Sequence, residues 1–371
     1  MIKIRDTQID VMKAIAIFLV VWGHIGGSFI LLDDWFVVTS FHIPLFFFIS
    51  GYLFDKNKVV DTKKHILKKV KKILLPCFLF HFIYGLIVTI LKVGGYIEYG
   101  NALTMYDMFV GPLLNNTAYV FDVGAWFLPA FFIVEVIYLF LNGFRQKIKI
   151  NDNIVLLLYL LVGFVGSYFM IKIENKSIFE FIAFRTMFFL FFYELGNYYK
   201  CKLAKIIEKT PHLIYFIILF LIQLILIQVF GIGQFPLVTN NSGFYTKIFY
   251  LPFLTSITGI LLVLRIASIV SKSMQDKRLL EYISNNTISI MMHHFIYIYL
   301  FNWVLYVLKI PGIDSAVIRA TRWVTFFNDK YQLKFIYILI AILGPLVGKY
   351  VYDRTKIYLK EKFMKKEIGL L

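Results

Sequence analysis

An all-α bundle of membrane-spanning helices is the fold class that this sequence predicts, and three observations carry it. Hydrophobic residues make up 60% of the chain and the mean hydropathy is +0.75, well above the roughly 45–50% apolar content of soluble domains. Apolar stretches of about 18 to 22 residues, enough to cross a hydrocarbon core of roughly 30 Å, recur from end to end. Strand-like alternation is absent, and within lipid only helices or closed barrels satisfy every backbone polar group.

About ten spans are expected, at 10–30, 38–54, 72–92, 124–142, 153–171, 178–198, 212–231, 246–268, 286–308 and 333–352. The first, "MKAIAIFLVVWGHIGG", follows a basic start as a secretory signal would. No small-residue cleavage pattern follows it, however, and its apolar run exceeds signal length, so it reads as retained. The second is "SFHIPLFFFISGYLF", and the third rises out of the lysine-rich "KKHILKKVKKILLP". "DVGAWFLPAFFIVEVIYLF" supplies the fourth, "FIAFRTMFFLFFYELGNYY" the sixth and "NNTISIMMHHFIYIY" most of the ninth. The fifth, seventh, eighth and tenth are mainly apolar and carry no chemistry-bearing pattern. Polar interruptions at about 93–123 and 309–332 are long enough for short helices or a lid. The whole chain, 1–371, reads as one integral membrane domain with no appended soluble one.

A formal net charge of +17 invites a nucleic-acid reading, and the placement of the charges argues against it. Loops assigned alternately from a cytoplasmic N-terminus put roughly three quarters of the 39 Lys and Arg residues on one side. This is the positive-inside pattern, and it implies cytoplasmic termini and an even number of spans. The partner of the basic face is the lipid bilayer. The last outer loop departs from the pattern, with Lys309, Arg319, Arg322, Lys330 and Lys334. That excess can be simply tolerated, or it can bind an anion. Cys77 and Cys201 fall near the inner ends of spans, where a reducing compartment argues against a disulfide.

Polar residues inside spans are costly, about 2.5–3.5 kcal/mol for a charged group at the helix centre, so function is sought among them. His24 lies eleven residues beyond Lys13, or roughly 16 Å deeper at 1.5 Å per residue. His42 enters from the outer side at a comparable level. Asp122 and Trp126 open the fourth span and Glu135 lies further down it. Arg185 is outer and Glu194 inner on the sixth span, and His293 and His294 are in the first half of the ninth. No His, Cys, Asp or Glu spacing forms a metal site, and no glycine-rich phosphate loop joins a strand to a helix.

These residues together resemble the acyltransferase 3 family of membrane acyltransferases, in the branch similar to fucose 4-O-acetylase-like proteins. "RDTQIDVMKAIAIFLVVWGH" resembles the family's opening pattern of a basic residue followed three helical turns later by His. "FHIPLFFFISGYLF" resembles its second-span signature, and "WFLPAFF", "FFYELGNYY" and "NNTISIMMHHF" follow in the expected order, from residue 5 to about residue 300. The resemblance implies transfer of an acyl group, usually acetyl from cytoplasmic acetyl-CoA, to a hydroxyl of a surface sugar or its lipid-linked precursor, at a bacterial-type inner membrane. His24 matches the family's essential His. Lys13 stands where many members have Arg, which keeps the charge and loses the planar fork of donors. The family's second basic motif falls on Lys68, Lys69, Lys71 and Lys72 in an ambiguous register.

Acyl transfer from a thioester needs a base for the hydroxyl proton, and neutral imidazole titrates in the right range. His24 is the candidate base. Lys13, Lys69 and Lys72 are the candidates for the donor's phosphates, and His42, Trp126, Arg185 and His294 for the acceptor side. Each has a plainer alternative. An intramembrane His can simply bond a neighbouring helix, the inner lysines are topology signals first, and Trp126 fits an interfacial belt. His81 has no motif behind it and reads as structural. Adjacent residues on a helix point about 100° apart, so at most one of His293 and His294 faces the site, and the family pattern favours His294. A glycan or lipid-linked-sugar transporter using the same polar residues is the rival function. It would need no acetyl-CoA.

Overall fold

The computed structural model describes residues 6–25, 35–55, 61–114, 119–230, 248–320 and 334–368, and the side chains of these up to residue 359. All regular structure among them is helical. The principal helices are α1 (Thr7–Ile25), α2 (Val38–Leu53), α3 (Thr62–Lys69), α4 (Leu75–Val93), α5 (Phe127–Ile148), α6 (Asp152–Lys172), α7 (Ile178–Tyr198), α8 (His212–Phe230), α9 (Leu251–Ser273), α10 (Thr287–Val307) and α11 (Lys334–Ile368). Residues 26–30, 231, 246–247 and 333 of the predicted stretches lie outside the described residues; the described part of each of the ten stretches falls mainly on one of these helices. Among the described residues, eight helical segments are long and apolar enough to cross a membrane, with α3 and α4 forming one continuous segment. The two predicted stretches outside that set are α2, which is shorter, and α7, which carries Glu180, Arg185 and Glu194.

The helices α1 and α2, which carry His24 and His42, are each more than half buried. α1 packs against α2, α9, α10 and α11, while α2 packs against α1, α7 and α9. Lipid-like exposure falls instead on α6, α8 and α11, where Leu158, Ile225 and Leu339 are exposed. Burial of α2 rests on backbone proximity: an added Cβ at Gly51 would lie 1.7 Å from the Tyr193 carbonyl oxygen, and one at Gly196 would lie 2.0 Å from that of Phe48. Small residues let helices approach where no hydrophobic drive between them exists. Gly51→Ala should therefore force α2 and α7 apart and cost about 1–3 kcal/mol, seen as a lower thermal midpoint in detergent.

Pro44 lies inside α2 and cannot donate to the Ser40 carbonyl four residues earlier. Ser256 on α9 supplies the missing donor, its Oγ 2.7 Å from that carbonyl. A proline tolerated in a membrane helix needs such a replacement.

The interruption after α4 carries a short helix at Met105–Phe109 and a 3₁₀ turn at Gly111–Leu113, and the one after α10 carries Ser315–Ala320. The two meet, with the Glu98 backbone N–H donating to the Arg319 carbonyl at 2.9 Å. Tyr84, Val88, Tyr119, Phe121, Tyr299 and Ile318 form a second apolar cluster beneath them. Arg322 and Lys330 lie outside the described residues. Lys334, from the same outer loop, is buried with its ammonium 4.3 Å from the centre of the Trp22 ring.

Candidate active site

α1 brings His24 to its last turn, and α10 brings His294 against it. His24 Nδ1 and His294 Nε2 are 3.0 Å apart, and the rings lie nearly parallel with centroids 5.1 Å apart. Helix geometry fixes the proton positions. His294 Nδ1 is 3.0 Å from the Ile290 carbonyl, one turn back, and a carbonyl can only accept, so His294 carries its proton on Nδ1. Neutral His294 then offers a lone pair at Nε2, which accepts the Nδ1–H of His24. His24 is thereby left with its lone pair on Nε2, the arrangement of a base whose other nitrogen is held by a neighbour. His294 is fully buried and His24 half-buried.

His293 turns away from this pair. Its Nδ1 lies 2.7 Å from the Tyr84 hydroxyl and its ring meets Phe80 edge-on. His42 bonds its own helix, with Nδ1 donating to the Val38 carbonyl at 2.8 Å, and remains within electrostatic range of His24. His81 is buried between Asp122 (2.8 Å from Nδ1) and the Asp107 carbonyl (2.9 Å from Nε2). That contact pins the loop before α5 to α4.

A cavity of about 550 Å³ opens at the lysine-rich end of the bundle, and Lys13, Lys68, Lys69 and Lys72 line it together. A single π-helical turn, Val70–Leu74, joins α3 to α4 and resets the register between these lysines. Lys71 is not among the lining residues. Lys69 is held by Glu135 on α5 at 2.7 Å. Glu135 is a largely buried carboxylate in the cavity wall, and it had no partner assignable from sequence. The cavity extends inward to Ile17, Phe127 and Met291. Met291 lies one helical turn, about 4.5 Å, before His294, so the histidine pair sits beyond the cavity's inner end. His24 is not itself a lining residue.

Trp126 and Arg185 come together at the same inner end. Trp126 caps α5 immediately before the cavity-lining Phe127, and the Arg185 guanidinium lies 5.2 Å from the Trp126 ring and 5.0 Å from that of Phe181. One face of the indole that sequence offered to a sugar is thus directed at a cation. Gly124, two residues earlier, abuts Met291, with an ideal Cβ 3.4 Å from its Cγ, which ties this loop to α10 beside the histidine pair. Glu194 pairs with Arg145 at 3.1 Å and accepts from the Tyr138 hydroxyl at 2.5 Å, a bundle-stabilising contact of the kind its position suggests.

All but one of the predicted residues thus form three groups, the lysines in the cavity, the His24–His294 pair, and Trp126 with Arg185, while His42 bonds its own helix. No curated protein and no solved structure gives a significant match. A family model described as an acyltransferase domain does, over residues 6–352. With its extent covering nearly all of this helical chain, the chain belongs to the acyltransferase 3 family.

Proposed function

We propose that this protein is a membrane O-acetyltransferase, moving acetyl from cytoplasmic acetyl-CoA to a sugar hydroxyl of a cell-surface polysaccharide or its lipid-linked precursor. The observation that carries the reading is the His24–His294 pair, a half-buried imidazole with its base nitrogen set by a second, fully buried imidazole, beyond a lysine-lined cavity. Ten crossings with both termini in the cytoplasm of a bacterial-type cell would put that cavity on the acetyl-CoA side. The cavity's chemistry fits the donor: Lys13, Lys69 and Lys72 suit phosphates, and the apolar inner walls at Ile17, Phe127 and Met291 suit an acyl-bearing arm.

In the reaction, His24 Nε2 takes the acceptor's hydroxyl proton as the oxygen attacks the thioester carbonyl. The new C–O bond forms, the C–S bond breaks, and the proton passes from His24 to the departing thiolate. Products are the sugar ester and CoA thiol. His294 holds the His24 Nδ1–H throughout and stabilises the imidazolium that forms transiently. His42, Trp126 and Arg185 lie on the acceptor side.

Lys13→Ala and Lys72→Ala should each raise the KM for acetyl-CoA roughly 3- to 10-fold, with a smaller effect at high salt. Their kcat should change little. Lys69→Ala should in addition lower the thermal midpoint, because it leaves Glu135 buried without its ion partner. Initial rates at two ionic strengths and a melting curve check these outcomes.

The reading is tested by incubating the purified protein in lipid nanodiscs with acetyl-CoA labelled in the acetyl group and an extract of cell-envelope glycans. Alkali-labile label on glycan, matched by CoA thiol released, is the expected result. Thiol release without glycan label, or neither, would count against it.

A further inference from the structure

Arg185 is the most deeply buried Lys or Arg among the described residues of the bundle, at 1% exposure, and no carboxylate among those residues pairs with it. Its Nη2 donates to the Leu113 carbonyl at 2.7 Å, while Nε and Nη1 are buried with no hydrogen-bond partner. Guanidinium stays protonated in proteins. Water can satisfy an N–H but cannot neutralise the charge, and an uncompensated buried ion costs several kcal/mol. The rings of Trp126 and Phe181 shield the guanidinium and leave its in-plane donors as the route for a counter-charge.

Arg185 sits eight residues before the cavity-lining Tyr193 on α7, about 12 Å along the helix. Trp126 stands on the residue just before cavity-lining Phe127. The guanidinium therefore lies past the inner end of the lysine cavity, on the side where the acceptor would meet the histidine pair.

We propose that Arg185 is an oxyanion-binding site for the acceptor, so that the sugar modified is acidic or is presented on a phosphate. This rests on the acyl-transfer reading for its placement. The shared chemistry is a planar or tetrahedral oxyanion that accepts from Nε–H and Nη1–H, and its two sources are a carboxylate on the sugar and the phosphate of a lipid carrier.

The test measures binding of matched probes to the full-length protein in nanodiscs: methyl glucuronide against methyl glucoside, and farnesyl phosphoglucose against farnesyl glucoside. The expected result is an affinity at least tenfold higher for one charged probe than for its neutral partner, with the preference lost in Arg185→Gln and reduced in Arg185→Lys. Preference within the first pair assigns the carboxylate, and within the second the phosphate. Equal affinity within both pairs in the unmodified protein overturns the proposal, as does an equal drop for charged and neutral probes in Arg185→Gln. Should both variants fail to fold, the preference of the unmodified protein alone decides. The same samples, given labelled acetyl-CoA, separate this proposal from the acyl-transfer reading: Arg185-dependent binding with no acetyl transferred to any probe or glycan would leave the anion site standing and remove the transferase.

Discussion

His24→Ala lowers acyl transfer by about 10²- to 10⁴-fold, the range that a positioned general base contributes, equivalent to roughly 2.7–5.5 kcal/mol of barrier. The loss falls on kcat, because the proton is taken only as the C–O bond forms, and the KM for acetyl-CoA stays close to its original value. His24 is not among the residues that line the lysine-rich cavity, so donor binding survives its removal. Initial rates of CoA-thiol release with acceptor present check both halves of this expectation. A rise in KM at unchanged kcat would mean that His24 binds the donor and does no proton transfer.

His294→Ala has the next largest effect, about 10²-fold on kcat, although His294 takes no proton from substrate in this account. Its part is positioning. Without the Nε2 acceptor 3.0 Å away, the His24 ring is free to take its other tautomer or rotate, and the base nitrogen no longer faces the acceptor reliably. His294→Gln separates positioning from mere packing, because a glutamine amide oxygen can still accept from Nδ1–H while an alanine cannot. The expected pattern is substantial rescue of kcat by Gln, none by Ala, and an acetyl-CoA KM that follows neither. Equal loss in both variants, with lowered thermal midpoints, would reduce His294 to a packing residue.

Much of this was legible in the sequence because a membrane constrains it so tightly. Apolar stretches of spanning length mark helices with little ambiguity, and the described part of each predicted stretch falls mainly on one. Depth is also legible: with 1.5 Å per residue, Lys13 and His24 must lie at different levels, and the structure gives the lysine to the cavity and the histidine to the region beyond it. Partners between helices were not legible. His24 and His294 are 270 residues apart in the chain, and nothing local to either announces the other. Selecting among the four lysines of "KKVKK" required the π-helical turn at Val70–Leu74, which shifts the register by an amount that α-helical periodicity does not predict. Trp126 shows a further limit. An aromatic residue at a span's outer edge reads first as a belt residue and only second as a sugar platform, and only the packing of α5 against α7 brings Arg185 onto its face. Likewise α2 is identifiable as apolar, but its central place depends on Gly51 and Gly196 meeting backbone across a helix pair.

The most direct measurement compares, by NMR, the O-acetyl esters on the surface glycan of cells carrying the unmodified protein with those of cells carrying His24→Ala at equal expression. Loss of an ester signal with the amount of glycan unchanged is the predicted result, and the missing signal identifies the acylated hydroxyl. Esters intact on a depleted surface glycan would contradict acyl transfer at His24 and point to transport.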